Sequence, residues 1–173
     1  MKRVPWVAFI IGVGLLTGED LNAAPGLASQ YVQADYLLVV KSERKLYLLK
    51  EGEVLRSFDI ALGLIPKGPK RREGDFRTPE GTYHLGARNP NSDYFLSIHI
   101  SYPDAQDVAR AHAAAVSPGG QIMIHGRPNE PKYTESRYQT MDWTDGCIAV
   151  SNSDMVDIWL MTDEKAIPIE IRP

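Results

Sequence analysis

The stretches IMIHG at residues 122–126 and WTDGCIAVSN at residues 143–152 are the most informative part of the sequence. Each joins a short apolar run, which predicts a buried strand, to one reactive side chain at the end of that strand. His125 follows the first run, and Cys147 precedes the second. Residues just outside strand ends lie at the rim of a sheet, where a rigid scaffold presents them to solvent. We therefore predict that His125 and Cys147 face one site.

This pair has the composition of a nucleophilic centre. A cysteine needs a base or a cationic partner to form thiolate near neutral pH, and a histidine within hydrogen-bond reach supplies one. The adjacent glycines, Gly126 and Gly146, leave room for substrate, and the amides of Gly146 and Cys147 are candidate oxyanion-hole donors. The alternative is that Cys147 is a small buried hydrophobic residue, which is common for free cysteines.

The N-terminal segment predicts export. A positive start, Lys2 and Arg3, precedes an apolar run over residues 4–16, which is shorter than the roughly 20 residues of a transmembrane helix. We predict a signal peptide over residues 1–23, with small residues allowing cleavage after Ala23 or Ala28. An uncleaved anchor is the alternative. The expected location is the periplasm or cell envelope.

Export changes the meaning of the single cysteine. Exported cysteines usually pair as disulfides, yet Cys147 is the only cysteine in the chain, which favours a use for its reactivity. After a short N-terminal segment, residues 24–34, the rest of the chain, residues 35–173, is predicted to be one domain because its length is typical of a single domain.

Composition narrows the class of protein further. The content of 43% hydrophobic and 24% charged residues is that of an ordinary globular domain. There are 19 Lys and Arg against 22 Asp and Glu, and this formal charge of −3 gives no reason to expect a nucleic acid as partner. No cofactor is expected, and the sequence does not predict an oligomeric state.

The pattern along the chain is mainly β with a few short helices. Short apolar runs separated by turn residues predict an antiparallel meander of strands at 36–40, 45–49 and 54–60. Further strands are predicted at 82–85, 94–100, 121–124, 147–150 and 167–171.

Helices and loops account for the other segments. Residues 104–116 predict a helix that ends at a Ser-Pro-Gly-Gly stop, and Ser153 is a plausible N-cap for a helix over 154–161. Residues 64–77 predict a loop with five basic side chains. The polar stretch 127–142 predicts a long surface connection, of a kind that is often functional in a compact domain.

The two motifs together resemble the signature of the YkuD (ErfK/YbiS/YcfS/YnhG) L,D-transpeptidases. The upstream sequence GDFRTPEGTY at residues 74–83 resembles that family's turn and strand, and Leu62-Gly63 resembles its strand-loop junction. The resemblance spans about residues 36–171, nearly all of the predicted mature chain.

This resemblance implies a β-sandwich-type catalytic domain in which Cys147 is the nucleophile and His125 is its base. The carbonyl of Gly126 is expected to orient the imidazole. The implied substrates are peptidoglycan stem peptides, which the family cleaves between the L-centre of a diamino acid and the terminal D-alanine before passing the acyl group to an amine. Carbapenem-type β-lactams are the implied inhibitors.

Three departures from the family pattern bear on specificity. Asp145 stands where the family usually has a second motif histidine, and Ala149 stands where an arginine is frequent. The 22 positions from His125 to Cys147 are more than usual, which indicates an enlarged lid over residues 127–142. We expect these changes to affect the choice of acceptor more than the reaction with the donor.

Other residues are candidates for weaker roles. Arg127 is a candidate carboxylate anchor, and Trp143 and Tyr94 are candidate cleft walls, although aromatic residues are more often core. The basic loop is either a solvated face or an attractor of stem-peptide carboxylates. The remaining histidines lack metal-ligand spacing, so structural or surface roles are expected for His84, His99 and His112.

Two rival functions remain open from the sequence. A hydrolase on the same scaffold, an L,D-carboxypeptidase or endopeptidase, would share the acyl-enzyme and use water in place of the amine. A non-catalytic wall-binding module would share the fold, but it would have no need of an unpaired thiol.

Overall fold

The computed structural model describes residues 31–163 and 166–173, so the predicted signal peptide and most of the segment 24–34 lie outside the described residues. None of the helices in the described part is long and apolar enough to cross a membrane. The elements in chain order are β1 (Tyr36–Val40), β2 (Lys45–Lys50), β3 (Glu53–Asp59), β4 (Gly81–Ser92), β5 (Phe95–Ile100), α1 (Ala105–Ala113), β6 (Met123–His125), α2 (Glu135–Thr140), β7 (Ile148–Ala149), α3 (Asn152–Met161) and β8 (Pro168–Arg172).

The strands form one eight-stranded sheet in the order β3-β2-β1-β8-β4-β5-β6-β7. The first three strands pair as the predicted antiparallel meander, and β8 returns to pair in parallel with β1. The long strand β4 contacts β8 with one half and β5 with the other, and its register shifts twice along β5. Such bulges bend a strand, so β4 is where the two halves of the sheet turn toward each other.

One core lies between these halves. Alternating residues of the first half, such as Leu37 and Leu46, belong to the same buried cluster as Ile98, Ile124 and Ile148 of the second half. The chain just beyond β3 also reaches β7, because Ala61 and Ala149 exchange backbone hydrogen bonds of 2.8 and 2.9 Å. The two ends of the strand order therefore meet, and β7 lies between β6 and the segment that follows β3.

Most predicted elements are confirmed, and the differences have local causes. β4 is twelve residues long, whereas the sequence predicts a strand over 82–85 only; the glycine, asparagine and proline over 86–91 have low strand propensity, and pairing with β5 overrides it. The helix α3 begins two residues earlier than predicted because Ser151, and not Ser153, accepts the backbone N–H of Asp154 as the N-cap.

The connection over residues 127–142, which the sequence predicts only as a long surface connection, has secondary structure of its own. It contains the short helix α2, in which Tyr138 is the buried residue. One buried side chain in six residues leaves no apolar periodicity, so the pattern contains no helix signal. The Tyr138 ring packs against Trp143 and Tyr133, which fixes the connection to the domain.

Candidate active site

The pairing of β6 with β7 brings His125 and Cys147 to one cleft. These strands are parallel, with Ile124 opposite Ile148 and His125 opposite Ala149. Cys147 lies just before β7, two positions before Ala149. Side chains two positions apart point to the same face of a sheet. Both side chains line a cleft of about 370 Å³.

The His125 ring is held in a defined tautomer. Its Nδ1 lies 2.7 Å from the carbonyl oxygen of Gly126, which can only accept, so Nδ1 carries the proton and Nε2 is free to take one. The rings of Tyr94 and Trp143 lie 4.6 and 5.6 Å from the imidazole, centroid to centroid. Burial lowers the pKa of His125 from 6.5 to about 4, although the Gly126 contact acts in the opposite direction.

The Cys147 thiol is also in its uncharged form at rest. Its Sγ lies 3.5 Å from the carbonyl oxygen of Gln121, a geometry in which the thiol donates. Burial raises the pKa of Cys147, and the negative charge of Asp145 raises it further, while the Met123 N–H and Lys70 oppose this shift. The resting pair is therefore a neutral thiol beside a neutral imidazole, suited to proton transfer during attack rather than to a preformed ion pair.

The two glycines of the motifs are required by close packing. A Cβ at Gly126 would lie 2.6 Å from Oδ1 of Asn152, and one at Gly146 would lie 2.7 Å from the carbonyl oxygen of Arg77. Gly146 also has a φ of +134°, which strains any residue with a side chain. These positions therefore let two chain segments approach the cleft wall closely.

The Gly146 amide, one of the two expected oxyanion-hole donors, has a hydrogen-bond partner within its own turn. Its buried N–H donates to Oγ1 of Thr144 at 3.1 Å, and that hydroxyl in turn donates to the carbonyl of Cys147 at 2.7 Å. The Gly146 amide is thus used to hold the turn before the cysteine. Of the two amides expected from the sequence, the one at Cys147 is left as the candidate oxyanion donor.

Residues not singled out from the sequence also shape the cleft. Asp142 accepts the Leu62 N–H at 2.9 Å and pairs with Arg44 through both carboxylate oxygens, which fixes the end of the connection before Trp143. Thr78 accepts the Gly63 N–H at 3.1 Å on the same side. The quoted motifs contained Thr144 and Asn152, but Asp142 has no signal beyond its charge.

The three candidate substrate-binding residues are not all in the Cys147 cleft. Tyr94 and Trp143 line it, together with His125. Arg127 does not: it is buried and lines a neighbouring cavity of about 470 Å³, with Trp143 on the border between the two spaces. Arg127 lies two residues beyond His125, and the Asn152 side chain accepts its backbone N–H at 2.7 Å, which directs the chain away from the thiol.

The two substituted positions of the family motif each border one of these two spaces. Asp145 is exposed on the rim of the Cys147 cleft. Ala149 is buried in β7 and lines the same cavity as Arg127. A guanidinium therefore borders the space beside position 149, although it comes from the segment after β6.

The remaining candidates do not line the Cys147 cleft. His84 and His112 are exposed, His99 is half-buried, and no cluster of three metal-ligating side chains occurs among the described residues. In the basic loop, Arg71 and Arg72 are exposed, whereas Lys70 is buried and pairs with Asp75 at 2.9 Å. Part of this loop therefore serves structure and part faces solvent.

Comparison with known families agrees with this geometry. The model of the YkuD family, described as the L,D-transpeptidase catalytic domain, matches residues 34–171. The chain belongs to this family. The YkuD fold is mostly β with few short helices, as the sequence predicts, and the two motifs around His125 and Cys147 fall within the matched region.

Individual relatives extend the comparison. The chain is 36% identical over 137 residues to "Putative L,D-transpeptidase YafK" of Escherichia coli (strain K12), covering 73% of this chain and 52% of that protein. It thus spans about half the length of this curated relative. Among solved structures it resembles the helical cell shape determining protein Pgp2 of Campylobacter jejuni, with a TM-score of 0.57, 25% identity, and coverage of 84% and 53% of the two chains. The Ldtfm-avibactam carbamoyl enzyme shares the fold, with a TM-score of 0.54, 18% identity, and coverage of 82% and 50%.

Proposed function

We propose that this YkuD domain is an exported cysteine acyl transferase that acts on peptidoglycan stem peptides. The observation that carries the proposal is the cleft in which Cys147 and the Nδ1-protonated His125 lie together. A neutral imidazole with a free Nε2 is the form that can accept a thiol proton, and the thiol is the one cysteine of the chain.

The reaction follows from these two groups. As Sγ of Cys147 attacks the carbonyl carbon between the diamino acid and D-alanine, its proton passes to Nε2 of His125. The C–N bond then breaks, and D-alanine leaves as an amine that takes the proton from the imidazolium. An acceptor amine attacks the thioester, gives its proton to His125, and releases the thiol.

Burial of the resting pair supports this order of events. Charging either group alone in the cleft is unfavourable, as the lowered pKa of His125 and the raised pKa of Cys147 show. The thiolate and imidazolium form together, or with the oxyanion, so charge develops when the substrate is in place. This limits reaction of the thiol with other electrophiles.

Location in the periplasm or cell envelope is part of the proposal. It is supported by the positive and apolar start of the sequence, since peptidoglycan lies outside the cytoplasmic membrane. The similarity to Pgp2, a cell shape determining protein, favours a role in wall architecture.

Mass analysis of reaction products tests the activity. The protein is incubated with a tetrapeptide muropeptide, with and without an amine acceptor. We expect loss of D-alanine and a product that contains the acceptor. Loss of D-alanine with addition of water only would establish the hydrolase instead, and no change in substrate mass would favour a wall-binding module.

A β-lactam probe tests the thiol and its surroundings without any acceptor. We expect carbapenem to add its mass to the wild-type protein, because a strained carbonyl needs only attack and oxyanion stabilisation. Intact-mass spectrometry measures both the adduct and its lifetime, and the lifetime is long if the 127–142 connection excludes water. If iodoacetamide modified Cys147 but carbapenem did not, the acyl-transfer hypothesis would be overturned.

A further inference from the structure

The cavity beside the Cys147 cleft has the properties of a second binding site. We call it the Arg127 cavity; its volume is about 470 Å³, and its walls include Arg127, Tyr138, Trp143, Ala149 and Asp154. Ligand pockets commonly range from 300 to 1,000 Å³, so an amino-acid-sized group fits. Because Trp143 borders both spaces, a ligand held here lies beside the Cys147 cleft.

Two residues that line this cavity each hold a buried donor without an acceptor. Among the described residues, neither Nε of Arg127 nor Nε1 of Trp143 has a hydrogen-bond partner. The Arg127 side chain is only 10% exposed, and its Nη2 pairs at 2.8 Å with Glu135, whose side chain is 62% exposed. Buried donors are almost always paired, so an oxygen acceptor entering beside Trp143 removes an unfavourable state.

The charges around the cavity favour a ligand that carries both a negative and a positive group. Arg127 faces three carboxylates in the cavity wall, Asp59, Glu135 and Asp154. Lys45 pairs with Asp59 at 2.8 Å, and Glu135 pairs with Arg127, whereas the side chain of Asp154 has no ion pair in the described part of the chain. A simple carboxylate is attracted by Arg127 but repelled by these groups, while a ligand with an ammonium beside its carboxylate satisfies both signs.

We infer that the Arg127 cavity binds the zwitterionic end of an α-amino acid, with the carboxylate beside the side chains of Arg127 and Trp143 and the ammonium beside Asp154. In catalysis this end belongs to the stem-peptide donor or to the amine acceptor, and that assignment rests on the proposed function. Arg127 and Trp143 then act as specificity residues, not as parts of the acyl-transfer step.

Binding is tested without any peptidoglycan substrate. The full chain is labelled with ¹⁵N, and the indole N–H signals of its 3 tryptophans are recorded during titration with D-norleucine, D-norleucinamide or hexanoate. Loss of one signal in Trp143→Phe assigns the reporter. We expect D-norleucine to shift the Trp143 signal, and the amide and the deaminated acid to bind at least about tenfold more weakly.

Variants separate this cavity from the Cys147 cleft. Arg127→Gln, and the charge-retaining Arg127→Lys, are expected to weaken D-norleucine binding by at least about tenfold in a protein that still unfolds cooperatively on heating. Arg137→Gln is the matched control, because that arginine packs on Tyr133 on the exposed side of the same connection. Binding should also persist after Cys147 is alkylated, since this fills only the cleft.

The opposite results overturn the inference. These are equal shifts with all three probes, no shift of Trp143 with D-norleucine, binding that survives Arg127→Gln, or binding that is lost only on alkylation. If D-norleucine binds as expected but muropeptides are not turned over, the cavity assignment stands and the proposed function fails.

Discussion

Replacement of Cys147 by alanine is expected to abolish acyl transfer, with a loss of at least about 10⁴-fold, while the fold persists. The covalent carrier is gone, and no second cysteine exists to replace it. Cys147→Ser should be nearly as inactive, because a hydroxyl is a much weaker nucleophile than a thiol at a buried site with a weak base. In the described part of the chain the thiol forms no disulfide and donates only a weak hydrogen bond to the Gln121 carbonyl, so the free energy of unfolding should change by only about 1 kcal/mol.

The measurement is turnover of tetrapeptide muropeptide, with thermal unfolding followed in parallel. His112→Ala serves as the control, since His112 is exposed on α1 and lies outside the cleft. Turnover by Cys147→Ala at the wild-type rate would remove the nucleophile assignment and with it the proposed mechanism.

Much of the architecture could be predicted because the strands carry a clear pattern. In the first meander, β1 and β2 have period-two burial, short turns join the three strands, and the predicted bounds of β1 to β3 differ from the observed ones by at most one residue. The parallel pairing of β1 with β8 and the contact between Ala61 and Ala149 were not predictable, since both join residues far apart in sequence. Such pairings depend on the closed core rather than on local propensity.

The candidate site was also predictable in part. His125, Cys147, Tyr94 and Trp143 meet in one cleft as expected, because two short strands with reactive ends pair directly. Arg127 is near His125 in sequence but lies in another cavity. Strand β6 ends before Gly126, and the Asn152 side chain then accepts the backbone N–H of Arg127, so the chain turns away from the cleft. The roles of these residues stay predictions until the variants are measured.

The His125 variant should separate general-base catalysis from thiol reactivity. In His125→Ala we expect turnover at neutral pH to fall by about 10²- to 10⁴-fold, because the proton acceptor is removed. Alkylation of Cys147 should lose its low-pH limb and recover only above the raised pKa of the thiol, where thiolate forms unaided. His99→Ala is the matched control, since His99 is half-buried on the neighbouring strand β5. An unchanged alkylation profile in His125→Ala would assign the base elsewhere.

The same substitution has a consequence for stability that needs no substrate. The pKa of His125 is about 4 in the folded protein and about 6.5 when unfolded, so between these values the unfolded chain binds more protons at this site. The contribution of the buried neutral His125 to the free energy of unfolding is therefore complete above pH 6.5. It declines as the pH falls toward 4, by up to about 3 kcal/mol. Urea unfolding at pH 7 and pH 4.5 should show a smaller pH-dependent loss in His125→Ala than in the wild type. Equal losses in both proteins would mean that the imidazole is not buried in its neutral form, and proton transfer from a neutral thiol would no longer follow.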